Sequence, residues 1–261
     1  MKLKHLYAFI ITTIIAVLTF NCVTQAYAVS LEEESFTFLT EDYPPFGYIG
    51  QDGKPTGYSV EILQAILKEL NIEANIKILP WKRAYVIAQR NKNTLLFTLT
   101  RTQKREKLFK WIGPIAPREI YLWKLKDRTN IKVDNLEDVK KYVIGSIRGD
   151  AGESQLLDMG FIINKNVIPF YDQKHIYKNI YAQRIDFTYD LEFSIFFSLK
   201  KAGLDPNKIE KSLLLSSGLE YYYGFNPNTS DLIVEEFRKA LQKIKDNGTF
   251  DKIANKYKNI N

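Results

Sequence analysis

Between Thr98 and Arg105 the chain carries a run of groups suited to capturing an anion. Thr98-Leu99-Thr100-Arg101-Thr102 sets hydroxyls at alternating positions, Gln103-Lys104 makes a short turn, and Arg105 follows an apolar strand over residues 95–99. A guanidinium is a planar fork that can grip both oxygens of a carboxylate, which a lysine cannot do. By spacing alone, Arg105 beside Lys104 and Lys107 reads better as an exposed helical residue. Other candidates are spread along the sequence. Tyr43 sits in the stiff loop Asp42-Tyr43-Pro44-Pro45-Phe46, where two prolines fix φ and remove backbone donors. Trp81 and Arg83 open a helix directly after a strand, the place where open α/β sheets bind ligands. Aromatic faces such as Tyr43 and Trp81 add apolar area and attract an ammonium, worth about 0.5–2 kcal/mol. Asp150 and Ala151 start a helix whose N–H groups suit an anion. Asp190 and Glu192 follow another strand at its carboxyl end and could meet a ligand cation, although Asp190 would also serve as a helix cap.

Several chemistries are excluded. There are two histidines, His5 and His175, so a site of several histidines is ruled out; no metal or cofactor is expected. Gly145-Ser146-Ile147-Arg148-Gly149 places serine one position early for a nucleophile elbow, and no phosphate-cradling glycine loop with Lys-Ser/Thr occurs. The formal charge falls from +7 to +5 once Lys2 and Lys4 are set aside, with no basic block of the kind nucleic-acid binding needs. Lys2 and Lys4, the apolar run 9–20 and the small-x-small box Ala26-Tyr27-Ala28 read as a secretory signal over residues 1–28, cut after Ala28. The one cysteine, Cys22, falls inside it, preceded by Thr19 and Asn21 rather than by a lipidation box, so the exported chain has no thiol. With no anchor, such a protein is retained only inside a second membrane, which points to a periplasm.

The remaining chain alternates strand and helix. Strands are expected over 35–40, 74–79 and 95–99, with helices between them; Ser59 is placed to cap the first, and the second spans 81–89. A second unit begins near Arg118 with a strand over 120–125, then a helix capped by Asn135, a strand at 142–146 and a helix opened by Gly149-Asp150-Ala151-Gly152. Strand 167–170, helix 173–183, strand 185–189 and helix 191–201 complete it. Residues 213–225 return as a strand. Ile233, Phe237, Leu241 and Ile244 then form one stripe of a tail helix. Such alternation implies α/β units with parallel sheets covered by helices.

The chain resembles the solute-binding proteins of ATP-driven amino-acid importers, the polar amino-acid or family 3 type. The likeness is carried by Tyr43-Pro44-Pro45-Phe46, Gly57-Tyr58-Ser59-Val60-Glu61, Thr100-Arg101-Thr102-Gln103-Lys104-Arg105, Arg148-Gly149-Asp150-Ala151-Gly152, Arg184-Ile185-Asp186 and Asn247-Gly248-Thr249-Phe250-Asp251-Lys252-Ile253, in order. It implies the two-lobed type II periplasmic-binding-protein fold, each lobe a mostly parallel sheet flanked by helices, joined by two crossover strands near 116–120 and 216–221. Lobe one would comprise 29–117 plus 218–261, and lobe two 118–217. It further implies that Arg105, the Thr100 hydroxyl and the Thr102 N–H meet a ligand carboxylate, with the N–H groups of Asp150 and Ala151 facing it from the other lobe. The family's ammonium-binding acid falls, by counting from Asp186, on Leu191; Asp190 and Glu192 flank it, and either could serve. The expected function is periplasmic capture of an amino acid or related carboxylate by lobe closure, with delivery to an inner-membrane ABC permease by a monomer that is not an enzyme. The competing readings are a cyclohexadienyl-dehydratase-like enzyme using Glu192 as acid or base, and a sensing partner of a receptor kinase.

Overall fold

The computed structural model describes residues 34–258. The expected signal, with Cys22 and the cleavage position after Ala28, lies outside the described residues. From Phe36 onward the chain forms one packed unit. Strands β1 (Thr37–Thr40), β4 (Ile76–Ile78) and β5 (Thr94–Thr100) run parallel, with β1 between the other two. A small hairpin of β2 (Tyr48–Ile49) and β3 (Pro55–Thr56) follows β1, helix α1 (Tyr58–Glu69) follows the hairpin, and α2 (Trp81–Arg90) links β4 to β5.

The expected cap at Ser59 is corrected. Gly57 is the N-cap of α1 at φ 120°, and no side chain caps it. The N–H groups of Tyr58 and Ser59 are instead taken by the carbonyls of Pro45 and Phe46, at 2.8 and 2.9 Å. A Cβ at position 57 would stand 2.6 Å from the Phe46 carbonyl oxygen, so only glycine lets the helix dock against the proline loop. That docking ties α1 to the loop carrying Tyr43.

After a short 3-10 helix at Gln103–Leu108 comes β6 (Lys110–Leu125), sixteen residues long. Only its second half, 120–125, carries a strand signature in the sequence, because Gly113-Pro114 and Pro117 break the pattern before it. The first half has a neighbour on one side alone, where proline costs no ladder bond. The second lobe holds α3 (Leu136–Val139), capped by Asn135, then β7 (Ile144–Ile147), α4 (Ala151–Asp158), β8 (Val167–Phe170), α5 (Gln173–Tyr181), β9 (Thr188–Asp190) and α6 (Glu192–Lys201). Strands β7 and β8 pair in parallel, while β9 lies antiparallel to the far end of β6.

Strand β10 (Ile209–Phe225) returns along the whole of β6, antiparallel, and ends between β6 and β5. The main sheet therefore has the order β4-β1-β5-β10-β6-β9 and is more mixed than a parallel reading suggests. The β6–β10 ladder is interrupted four times, three of them between Lys211 and Leu219. Helix α7 (Asp231–Asp246) packs on β6 and α1 with Ile233, Phe237, Leu241 and Ile244 buried. Phe237 meets Phe36, Phe38 and Phe225 at ring distances of 4.9–6.3 Å. The last helix, α8 (Thr249–Lys258), is tied to α1 because Lys256 and Tyr257 both donate to Glu61. Among the described residues no helix is long and apolar enough to cross a membrane.

Candidate functional site

The lobes meet around a cavity of about 40 Å³, lined from both sides. Arg105 lies on its wall. The 3-10 turn after β5 carries the side chain inward, so that only 7% of the residue is exposed. Its guanidinium lies 5.4 Å from the Trp81 ring centre and 5.2 Å from that of Tyr85, one turn along α2. Its hydrogen bonds run to two carbonyls, Thr100 in the same lobe at 3.3 Å and Gly149 in the other at 3.4 Å. Among the described residues no carboxylate lies within ion-pair distance. Burial pushes its pKa down, with Arg118 adding to the effect and Tyr85 and Asp150 opposing it.

Thr98 and Thr100 line the same wall. Thr98 is the extra residue of a bulge in β5: Phe97 and Leu99 pair with Tyr223 and Tyr222 on β10, leaving Thr98 unpaired at φ 56°. A β-branched residue in the left-handed region is strained. Its hydroxyl is buried with no partner among the described residues, so the strain holds an unused hydrogen-bonding group at the cavity.

From the opposite lobe come Asp150 and Ala151, at the start of α4. Asp150 is the N-cap: its carboxylate accepts from the Glu153 N–H and the Tyr189 hydroxyl, both at 2.7 Å. Its own N–H is given to the Ile147 carbonyl at 3.1 Å, so it does not face the cavity as a free donor. The N–H of Ala151 has no acceptor among the described residues. Burial pushes the Asp150 pKa up, against the pull of its donors and of Arg118 and Arg105.

Asp190, at the end of β9, lines the cavity and is 1% exposed. Its Oδ1 accepts from the Tyr43 hydroxyl of the other lobe (2.7 Å) and the Leu191 N–H (2.7 Å); its Oδ2 accepts from Tyr177 (2.5 Å) and Gln173 (3.3 Å). Burial raises its pKa to about 6 in spite of these donors. Glu192 is exposed, pairs with Lys211 at 2.7 Å and is not on the cavity wall. Between the two acids left open by the sequence, the cavity holds Asp190. Arg83 is exposed, and Thr102 caps the 3-10 turn, its carbonyl accepting from the Arg105 N–H; neither lines the cavity. Replacing Glu192 by glutamine should leave solute affinity within about twofold by titration calorimetry. Asp190→Ala strands four donors, each costing about 1–3 kcal/mol when buried, and should lower the melting temperature strongly.

Arg118 and Glu41, which the sequence did not flag as ligand contacts, share the wall, and Tyr85 stands behind it against the Arg105 guanidinium. Tyr85 could have been found from its i,i+4 spacing to Trp81. Arg118, on β6, served only as a boundary marker, and nothing local betrays that β6 faces the cavity. Glu41 precedes the proline loop; its carboxyl is partly exposed and has no donor among the described residues. Burial, together with Asp150, Asp42 and Asp190, raises its pKa to about 8, against Arg105. The folded chain thus holds a proton that the unfolded chain has lost above its ordinary value of 4.5. This contribution favours folding at low pH and disappears as pH rises to about 8. Glu41→Gln should match the parent's melting temperature near pH 4 and exceed it at pH 8.5. Allowing for solvent screening, the gain is roughly 1–2 kcal/mol, read as about 2–8 °C by calorimetry.

Direct bonds hold the lobes together. Trp81 Nε1 donates to the Gly149 carbonyl at 3.0 Å, and the Ser194 and Ser198 hydroxyls donate to the Pro44 carbonyl at 2.7 and 3.1 Å. The cavity has room for a few waters, so a larger solute enters only as the lobes part.

The family model for bacterial extracellular solute-binding proteins, family 3, matches residues 37–260. The chain belongs to that family. Among relatives of this family-3 protein is "Probable amino-acid-binding protein YxeM" of Bacillus subtilis, 22% identical over 99% of this chain and 97% of that protein. An ancestral arginine-binding protein, solved bound to glutamine, shares the fold with a TM-score of 0.75 and 22% identity, covering 85% of this chain and 96% of that one. A histidine kinase sensor domain, with similarity to periplasmic binding proteins, also shares it, with a TM-score of 0.78 and 17% identity over 86% and 96% of the two chains.

Proposed function

We propose that this family-3 solute-binding protein captures an α-amino acid between its lobes and delivers it to an ABC permease. The observation that carries the reading is Arg105: a buried guanidinium at the inter-lobe cavity, bonded to two carbonyls, with no carboxylate in ion-pair reach among the described residues. A ligand carboxylate would supply that acid, aided by the Ala151 N–H and the Thr98 and Thr100 hydroxyls, with Trp81 and Tyr43 as aromatic walls. The ligand's ammonium would sit on the acidic side, against Glu41, with the filled Asp190 carboxylate adding negative field beside it. Each lobe contributes half of these partners, so the solute favours the closed form by its extra affinity for it. The division would be 29–117 plus 218–261 against 118–217, with bending in the two crossovers. Export into a periplasm, with cleavage after Ala28, completes the reading, and the protein acts alone as a monomer.

Binding is favoured over catalysis because Glu192, the acid an enzyme would place in the cleft, is exposed and paired with Lys211. A thermal-shift and calorimetric screen of the twenty amino acids tests the proposal. Saturable binding of at least one amino acid supports it, and no binding by any of them overturns it.

A further inference from the structure

Five charged side chains line the cavity: Glu41, Asp150, Asp190, Arg105 and Arg118. One of the acids is already satisfied: Asp190 accepts four hydrogen bonds, about all a carboxylate can take. Asp150 caps α4 and holds Tyr189 through Oδ1 alone. The groups with capacity left are Glu41, one oxygen of Asp150 and the two arginines.

Arg118 is 3% exposed. Its hydrogen-bond acceptors among the described residues are the Ser216 hydroxyl at 3.2 Å and Gln155 Oε1 at 3.4 Å, both reached through Nη1. Gln155 in turn donates to Ser216 at 2.9 Å, which fixes the guanidinium against β10 and α4. Among the described residues Nη2 and Nε have no acceptor, and no carboxylate lies within ion-pair distance. A buried cation left in this state is costly unless an anion meets it.

A simple α-amino acid brings one carboxylate and one ammonium. Arg105 and Glu41 account for both, and Arg118 remains over. We propose that the ligand carries a second carboxylate and that Arg118, on the β6 side of the cavity, receives it: the substrate class is acidic amino acids. This rests on the amino-acid reading above and narrows it. The fork geometry of Arg118 suits a carboxylate, whereas a side-chain amide offers it one oxygen and no charge.

The test compares L-glutamate and L-aspartate with L-glutamine and L-asparagine by titration calorimetry on the wild-type protein and on Arg118→Gln. The acids should bind at least about tenfold more tightly than their amides to the wild type. Arg118→Gln should erase that preference, weakening the acids tenfold or more and the amides less than about threefold. Amides or basic amino acids binding as tightly as the acids would overturn the proposal. So would an Arg118→Gln protein that keeps the preference or weakens acids and amides equally. The wild-type ratio stands alone if the variant does not fold. Failure of every amino acid to bind would instead overturn the broader reading, and this proposal with it.

Discussion

Arg105→Ala is expected to lose solute binding by roughly two to three orders of magnitude while melting within a few degrees of the parent. The two halves of this expectation have separate causes. Truncating one partner of a buried charge pair typically costs 2–5 kcal/mol, much of it from leaving the other charge desolvated and alone. The ligand carboxylate would be that stranded charge. Stability behaves differently, because Arg105 has no ion-pair partner to strand among the described residues. Its hydrogen bonds to Thr100 and Gly149 are long, at 3.3 and 3.4 Å, and removing a buried cation also removes its desolvation cost. Arg105→Lys keeps the charge but cannot grip both oxygens, and should fall between alanine and the parent. Unchanged affinity in Arg105→Ala, measured by calorimetry, would remove the anchor from the proposed function.

The second large effect is on stability. Gly152→Ala should cost about 2–4 kcal/mol, a drop of roughly 5–15 °C in melting temperature. An added Cβ would lie 2.3 Å from Cε2 and 2.5 Å from Cζ of Tyr189. The ring cannot simply retreat. Its hydroxyl donates to Asp150 and accepts from the Ile147 N–H at 3.2 Å, so moving it takes a donor from the carboxylate that caps α4 and disturbs the end of β7. Alanine is otherwise the better helix former by about 1 kcal/mol, so a loss isolates the clash. Adding Tyr189→Leu to Gly152→Ala should recover part of the loss; if Gly152→Ala alone melts like the parent, the packing argument fails.

The alternation of strands and helices was legible because each periodic run is long and bounded by glycine, proline or a capping residue. Asn135 and the stripe on α7 are cases where local chemistry decides the outcome. Ser59 misled because caps are assigned from near neighbours, whereas α1 takes its caps from a loop more than ten residues earlier. The first half of β6 was hidden by prolines that only an edge position tolerates. Within the site, Tyr43, Trp81, Arg105 and Asp190 stand beside turns or strand ends that mark them. Glu41 and Arg118 do not, since their place on the wall depends on how the two lobes face each other. The same holds for Asp190 over Glu192: two residues apart, one ends a strand inside the cleft and the other starts the next helix with its side chain turned to Lys211.

The paired strands β6 and β10 carry a mechanical consequence. Two polypeptide ribbons laced side by side resist shearing past one another, yet the ladder breaks between Lys211 and Leu219 soften them in flexure. Such a leaf spring yields about one axis and is stiff about the rest. In the closure proposed above, the moving lobe would be guided along a narrow track to a reproducible end point, and a membrane receiver would distinguish loaded from unloaded molecules by outline alone.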